Sequence, residues 1–150
     1  MSIDKDIKQR SFKSEYQKAI VNLIFTYNWT TEQLKHLLEE EGLTLQQFNI
    51  LRILRGSELP ISTLQIRERM LDKMSDTSRI VDRLVIKGLV KKITCKTDKR
   101  LVDVTITPNG LTVLEKLDAH EDKMEDIVRS LSISEAKTFN KLLDKIRRSN

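Results

Sequence analysis

Residues 75–107 read SDTSRIVDRLVIKGLVKKITCKTDKRLVDVTIT, and the fold turns on this stretch. Its first half sets Ile80, Val81 and Leu84 at helical spacing behind Ser75, a good N-cap, and stops at Lys87-Gly88, where glycine suits a helix end. In the second half, residues 90–95 and 101–106 are β-like, with Val102, Val104 and Ile106 alternating inward against Leu101, Asp103 and Thr105. The polar run 96–100 between them makes a basic hairpin tip. Just upstream, Ser62-Thr63-Leu64-Gln65 forms a capping box that opens a short helix running to about Met70. Two short capped helices followed by a hairpin predict a helix-turn-helix with a β-hairpin wing.

On a wheel of about 100° per residue, Thr77, Ile80, Val81 and Leu84 fall on one side of the second helix. Ser75, Arg79, Asp82, Arg83 and Ile86 fall on the other. A helix anchored by one face and offering hydroxyls and arginines on the other suits the DNA major groove. Arginine can bond guanine bidentately there, and small polar groups can approach base edges or phosphate. The free N–H groups and positive dipole end of the first turn favour phosphate as well. The hairpin tip adds basic residues within reach of the minor groove, whose negative potential attracts arginine. Candidate DNA contacts are Ser75, Thr77, Ser78, Arg79 and Arg83 on the helix, with Lys96, Asp98, Lys99 and Arg100 on the tip. Thr77 leans toward the inner face, where it would cap or pack. Asp82, which phosphate repels, is read as a partner within its helix or on the wing.

The charge distribution points to the same segment. The chain carries a net +5, and residues 60–110 alone hold eleven basic against six acidic side chains, while both flanks are neutral. An excess confined to one third of the chain gives a polyanion a local field to dock against. A solvated basic surface with incidental arginines is the plain alternative.

Outward from the centre, Thr44 caps a helix that turns Leu45, Phe48, Leu51 and Leu54 inward, and Gly42 ends the segment before it. That segment sets Phe12, Tyr16, Ile20, Leu23, Ile24 and Tyr27 on one stripe, resumed at Leu34, Leu37 and Leu38. Thr30 and Gln33 could restart a helix after the weak stretch 28–31, so one kinked helix and two helices are both open. Thr107-Pro108 starts a long helix through Leu111, Leu114, Leu117, Met124, Ile127 and Leu131. Ser132 and Glu135 cap a last one with Ala136, Phe139, Leu142, Leu143 and Ile146. The expected architecture is mostly α with a small β-hairpin wing: helical dimerisation regions at 1–42 and 108–150 flank a winged helix-turn-helix at 43–107. The long apolar stripes at both ends exceed what so small a centre can cover, which predicts a homodimer.

With 150 residues, 39% hydrophobic and 33% charged, the chain has the makings of a folded, helix-rich domain rather than a disordered one. No apolar run approaches the roughly 20 residues that span a bilayer, and residues 1–10 alternate charges, so a cytoplasmic protein without membrane contact is expected. One cysteine, Cys95, and two distant histidines, His36 and His120, make no metal-ligand set. No phosphate loop, nucleophile elbow or His-Asp-Ser set is visible, so neither enzyme activity nor a cofactor is expected. Cys95 is read as strand packing rather than a redox sensor. Tyr16, Tyr27 and Trp29 are read as core or interface before effector pocket.

The chain resembles the multiple-antibiotic-resistance regulator (MarR) family of winged-helix repressors. Leu43-Thr44-Leu45-Gln46-Gln47-Phe48, then Ser78-Arg79-Ile80-Val81-Asp82-Arg83-Leu84 leading to Lys87-Gly88-Leu89-Val90, then Asp98-Lys99-Arg100 with Val104-Thr105-Ile106-Thr107 and Gly110 carry the likeness, in order. It covers residues 43–117 closely, while residues 70–74 depart from the family's glycine-containing turn. The resemblance implies a dimer made by the terminal helices, a recognition helix at 75–87, a wing at 96–100 and a small-molecule effector pocket between the dimer and DNA-binding regions. A two-fold dimer of this kind would repress from an inverted-repeat operator in double-stranded DNA. The competing reading is a winged-helix protein-interaction module.

Overall fold

The computed structural model describes residues 2–94 and 102–148. A short helix α1 (Ile3–Asp6) precedes α2 (Glu15–Glu39), a single helix of 25 residues that Ser14 opens by accepting the Gln17 N–H. The restart at Thr30 is not used. Thr31 spends its hydroxyl inside the helix, on the Tyr27 and Asn28 carbonyls at 2.9 and 2.8 Å, and the backbone runs through. Phe12 lies before α2 rather than on its stripe, with the Lys18 ammonium 5.6 Å from its ring.

Gly42 takes φ +63°, and the Leu43 N–H reaches back to the Leu38 carbonyl at 3.1 Å, closing α2 as a glycine C-terminal turn does. Thr44 then starts α3 (Leu45–Arg55) in a reciprocal capping box with Gln47. A two-residue strand β1 (Ile61–Ser62) leads into α4 (Thr63–Arg69), where Ser62 and Gln65 form the expected second box. Next come α5 (Thr77–Ile86), β2 (Val90–Thr94) and β3 (Val102–Ile106). Gly88, at φ +69°, ends α5 just as Gly42 ends α2, with the Leu89 N–H on the Leu84 carbonyl at 3.0 Å.

The link at Ile61 is a true strand. It pairs antiparallel with β3, so the sheet has three strands in the order β1-β3-β2, with Ile61 and Lys92 on either side of Val104. The inward alternation on β3 holds for Val104, fully buried, and Ile106, half-buried. It fails at Val102, which is exposed because it pairs with Thr94 where the hairpin runs out beyond the helices.

The long helix expected after Thr107 is two. α6 (Pro108–Asp118) breaks at His120, whose N–H folds back on the Leu117 carbonyl at 2.9 Å, before α7 (Glu121–Asp126). Neither glycine nor proline marks the break. α6 is held to the core by Leu114 and Leu117, Arg55 grips Asp118 through two hydrogen bonds at 2.5 and 3.2 Å, and beyond the break Met124 of α7 packs against the same core. α8 (Ile133–Arg148) opens with the Ser132–Glu135 box. The Ser132 hydroxyl and N–H together hold the Glu135 carboxyl below its usual range.

One core joins these elements. Leu38 of α2, Ile50 and Leu51 of α3, Ile66 of α4, Val81 and Leu84 of α5, Val104 of β3 and Leu114 of α6 are fully buried in it. At about 1.5–3 kcal/mol per buried Leu or Ile, most of what holds α5 down comes from its inner face.

Candidate nucleic-acid interface

α5 begins one residue later than its sequence suggests, for a local reason. The Ser75 hydroxyl donates to the Asp72 carbonyl at 2.8 Å, so the cap falls to Asp76, whose carboxylate accepts the Arg79 N–H at 3.1 Å. Ser75 therefore shapes the entry to the helix and is half-buried. Asn49 on α3 braces the same turn by accepting the Leu71 N–H at 2.9 Å, and Met70 fills the core beneath it. Asn49 escaped sequence reading because its partner lies 22 residues away.

The inner face of α5 is Thr77, Val81 and Leu84, all buried, with Ile80 half-buried. Thr77 is only 3% exposed and its Oγ1 has no hydrogen-bond partner among the described residues, so it packs beneath the surface rather than facing outward with the candidate contacts. Thr77→Val is accordingly expected to hold or raise stability, by up to about 1 kcal/mol, because it removes an unsatisfied buried hydroxyl at nearly constant volume. DNA affinity should stay at the wild-type value. Urea denaturation and a DNA titration check both, and an affinity loss would restore Thr77 to the reading face.

Ser78, Arg79 and Arg83 are exposed, and neither guanidinium joins an ion pair among the described residues. Asp82 lies between them and is bonded at 2.5 Å by Lys92 of β2, which ties the helix to the hairpin as the sequence suggested. A cleft of about 320 Å³ opens beside this face, lined by Gln46 and Gln47 of α3 and by Asp72, Ser75, Arg79 and Arg83. It brings the first turn of α3 up to the arginines of α5. The hairpin-tip candidates Lys96, Asp98, Lys99 and Arg100, together with Cys95, lie outside the described residues.

A second cleft, of about 760 Å³, runs between α2 and the start of α3, where Tyr27, Thr31, Lys35 and Glu39 face Gly42 and Leu43. Of the aromatic residues singled out, Tyr27 lines it; Tyr16 and Trp29 do not. No group of acidic, histidine or cysteine side chains among the described residues has the makings of a metal site. No described helix is long and apolar enough to cross a membrane.

The flanking helices leave much apolar surface uncovered. Tyr16, Ile20, Ile24 and Tyr27 on α2 are exposed, as are Ile133, Phe139, Leu142 and Ile146 on α8, and no residue of α8 is buried.

Comparison with known proteins agrees with this geometry. The MarR family model matches residues 41–101. TcaR, a helix-turn-helix-type transcriptional regulator of Staphylococcus aureus, is 30% identical over 120 residues, 78% of this chain and 78% of its own. A mutant of MarR from E. coli, solved in complex with operator DNA, superposes with a TM-score of 0.74 at 25% identity over 83% of this chain and 89% of its own. BpsR of Bordetella bronchiseptica, whose DNA binding is regulated by 6-hydroxynicotinic acid, has the same fold, with a TM-score of 0.76 at 22% identity, covering 85% of this chain and 91% of its own.

Proposed function

The chain belongs to the MarR family of transcriptional regulators, and from that premise we propose that it acts as a homodimeric repressor bound to an inverted-repeat operator. Residues 43–107 bind DNA, while 1–42 and 108–150 pair the subunits. The recognition helix α5 enters the major groove through Ser78, Arg79 and Arg83, and Ser75 stands at its mouth. Lys96, Lys99 and Arg100 reach the minor groove, with Asp98 bracing the tip. The observation that carries this reading is a helix fixed by buried Val81 and Leu84 while Arg79 and Arg83 are exposed on the opposite face. Two such helices about a two-fold axis read half-sites roughly 10 base pairs apart.

A small-molecule effector fits the cleft between α2 and α3, which lies where a helix of the pairing region meets the DNA-binding region. The regulation of BpsR by 6-hydroxynicotinic acid supports this part of the reading. The protein works in the cytoplasm, without a cofactor.

Selection of bound sequences from random DNA, followed by titration of variants, tests the proposal. Arg79→Ala is expected to cost about 1–3 kcal/mol on the selected operator and to relax preference at one position of each half-site. Arg100→Ala should weaken binding broadly and make the salt dependence shallower. If both variants kept wild-type affinity and salt slope, the basic face would be incidental and the chain a protein-interaction module.

A further inference from the structure

Three helix ends meet at one ammonium group. α2 closes in the left-handed turn at Gly42, α3 opens at the Thr44 cap, and α5 closes at Lys87, its C-cap residue. Lys87 Nζ donates to the Gly42 carbonyl and lies 3.4 Å from Gln47 Oε1. Gln47 is only 4% exposed and is itself fixed: its Oε1 accepts the Thr44 N–H at 3.1 Å and its own N–H donates to the Thr44 hydroxyl at 3.2 Å. Carbonyls at a helix C-terminus carry the negative end of the dipole, so this cation sits where the ends of α2 and α5 both favour one. These partners lie 45 and 40 residues away in the chain, so the contact is wholly tertiary.

The inner face of α5 is apolar, and apolar packing is non-directional: it holds the helix down without fixing its tilt. Lys92 ties α5 to the hairpin through Asp82, and Lys87 ties its far end to the scaffold of α2 and α3. We infer that Lys87 is a positioning residue. By pinning the end of the recognition helix to Gly42 and Gln47 it sets the angle at which Arg79 and Arg83 meet the groove, an inference that rests on the DNA-binding reading above. A base contact depends on angle far more than a phosphate contact does, so loss of the pin falls on specific binding.

The competing role for an exposed lysine beside these arginines is a direct phosphate contact, since an ammonium has three donors and two acceptors are accounted for. Lys87→Met and Lys87→Arg in the full chain separate the two. Each is titrated against the selected operator and against scrambled DNA over a salt series, and amide hydrogen exchange is followed without DNA. Lys87→Met is expected to lose roughly tenfold on the operator, to bind scrambled DNA as the wild type does and to keep its salt slope. Exchange should quicken at residues 42–44 and in the last turn of α5 while the strands keep their protection. Lys87→Arg should share the operator loss, because a planar fork does not replace a point contact on two converging oxygens.

A fall in salt slope of about one, with equal loss on both DNAs and full rescue by arginine, would make Lys87 a phosphate contact and overturn the inference. Unchanged exchange in Lys87→Met would overturn it equally. Failure of the wild-type chain to select any DNA would overturn the DNA reading and the positioning role with it. A wild type that reads DNA beside an unaltered Lys87→Met overturns the positioning role alone.

Discussion

Phe139→Glu combined with Leu142→Glu is expected to turn the proposed dimer into a monomer and to lower operator affinity by roughly 10²–10⁴-fold. The two side chains lie on the apolar stripe of α8, 41% and 54% exposed, in a 16-residue helix that has no fully buried residue and leaves only Ala136 and Leu143 half-buried. An isolated helix of that length is marginal in water, so α8 needs a surface to lie on. The exposed stripe of Tyr16, Ile20 and Ile24 on α2 is of matching character. A second copy supplies both stripes at once and leaves neither exposed. Glutamate at these positions would place unpaired carboxylates in that contact, which far outweighs any lost apolar area. A monomer then offers one recognition helix where two had acted at high effective concentration, hence the large effect on the operator. Sedimentation gives the mass and titration the affinity, while circular dichroism establishes that the winged centre still melts cooperatively. A variant that stayed dimeric with its affinity intact would remove α8 from the interface.

The parts of the fold governed by neighbours in sequence were legible. Thr44 with Gln47 and Ser62 with Gln65 fix two helix starts through side chains three residues apart, and Gly42 and Gly88 fix two helix ends through a conformation that other residues resist. The inner face of α5 was legible from its periodicity, although Thr77, named among the candidate DNA contacts, packs within it. What depends on distant partners was not. Ser75 looks like the cap until the Asp72 carbonyl takes its hydroxyl, and only then does Asp76 serve. The break at His120, where the N–H folds back on the Leu117 carbonyl, is marked by neither glycine nor proline in the sequence around it. Asn49 beneath the turn and Lys87 across three helix ends are tertiary contacts. The exposure of Arg79 and Arg83 on α5 was legible because an exposed face can be inferred from the stripe it opposes.

Gly110→Ala is expected to destabilise the protein by about 2 kcal/mol or more, the balance of a steric cost near 3 kcal/mol and a gain near 1 kcal/mol in helix propensity. A Cβ at this position would stand 2.3 Å from the Leu89 carbonyl oxygen and 2.7 Å from a side-chain carbon of Ile106. The backbone oxygen cannot swing aside, because it accepts the Thr107 N–H at 3.0 Å. Thr107 makes the same docking tighter: its hydroxyl donates to the Gly88 carbonyl at 2.7 Å and accepts the Gly110 N–H at 3.2 Å. The start of α6 is thus locked onto the turn that ends α5, with no room for a methyl group between them. Opening that joint moves the end of the recognition helix as well as α6, so operator affinity should fall together with stability. For a chain of this size the thermal midpoint should drop by roughly 4–8 °C. Gly56→Ala is the control: its Cβ would meet only the Arg52 and Ile53 carbonyls at 3.5 and 3.8 Å, an ordinary contact, and φ is −78°. Relieved of glycine's entropy in the unfolded chain, that variant should be as stable as the wild type or gain about 0.4–1 kcal/mol. Thermal melts of the two variants beside the wild type decide the matter, and equal midpoints for Gly110→Ala and the wild type would show that α6 and the α5 turn can part without cost.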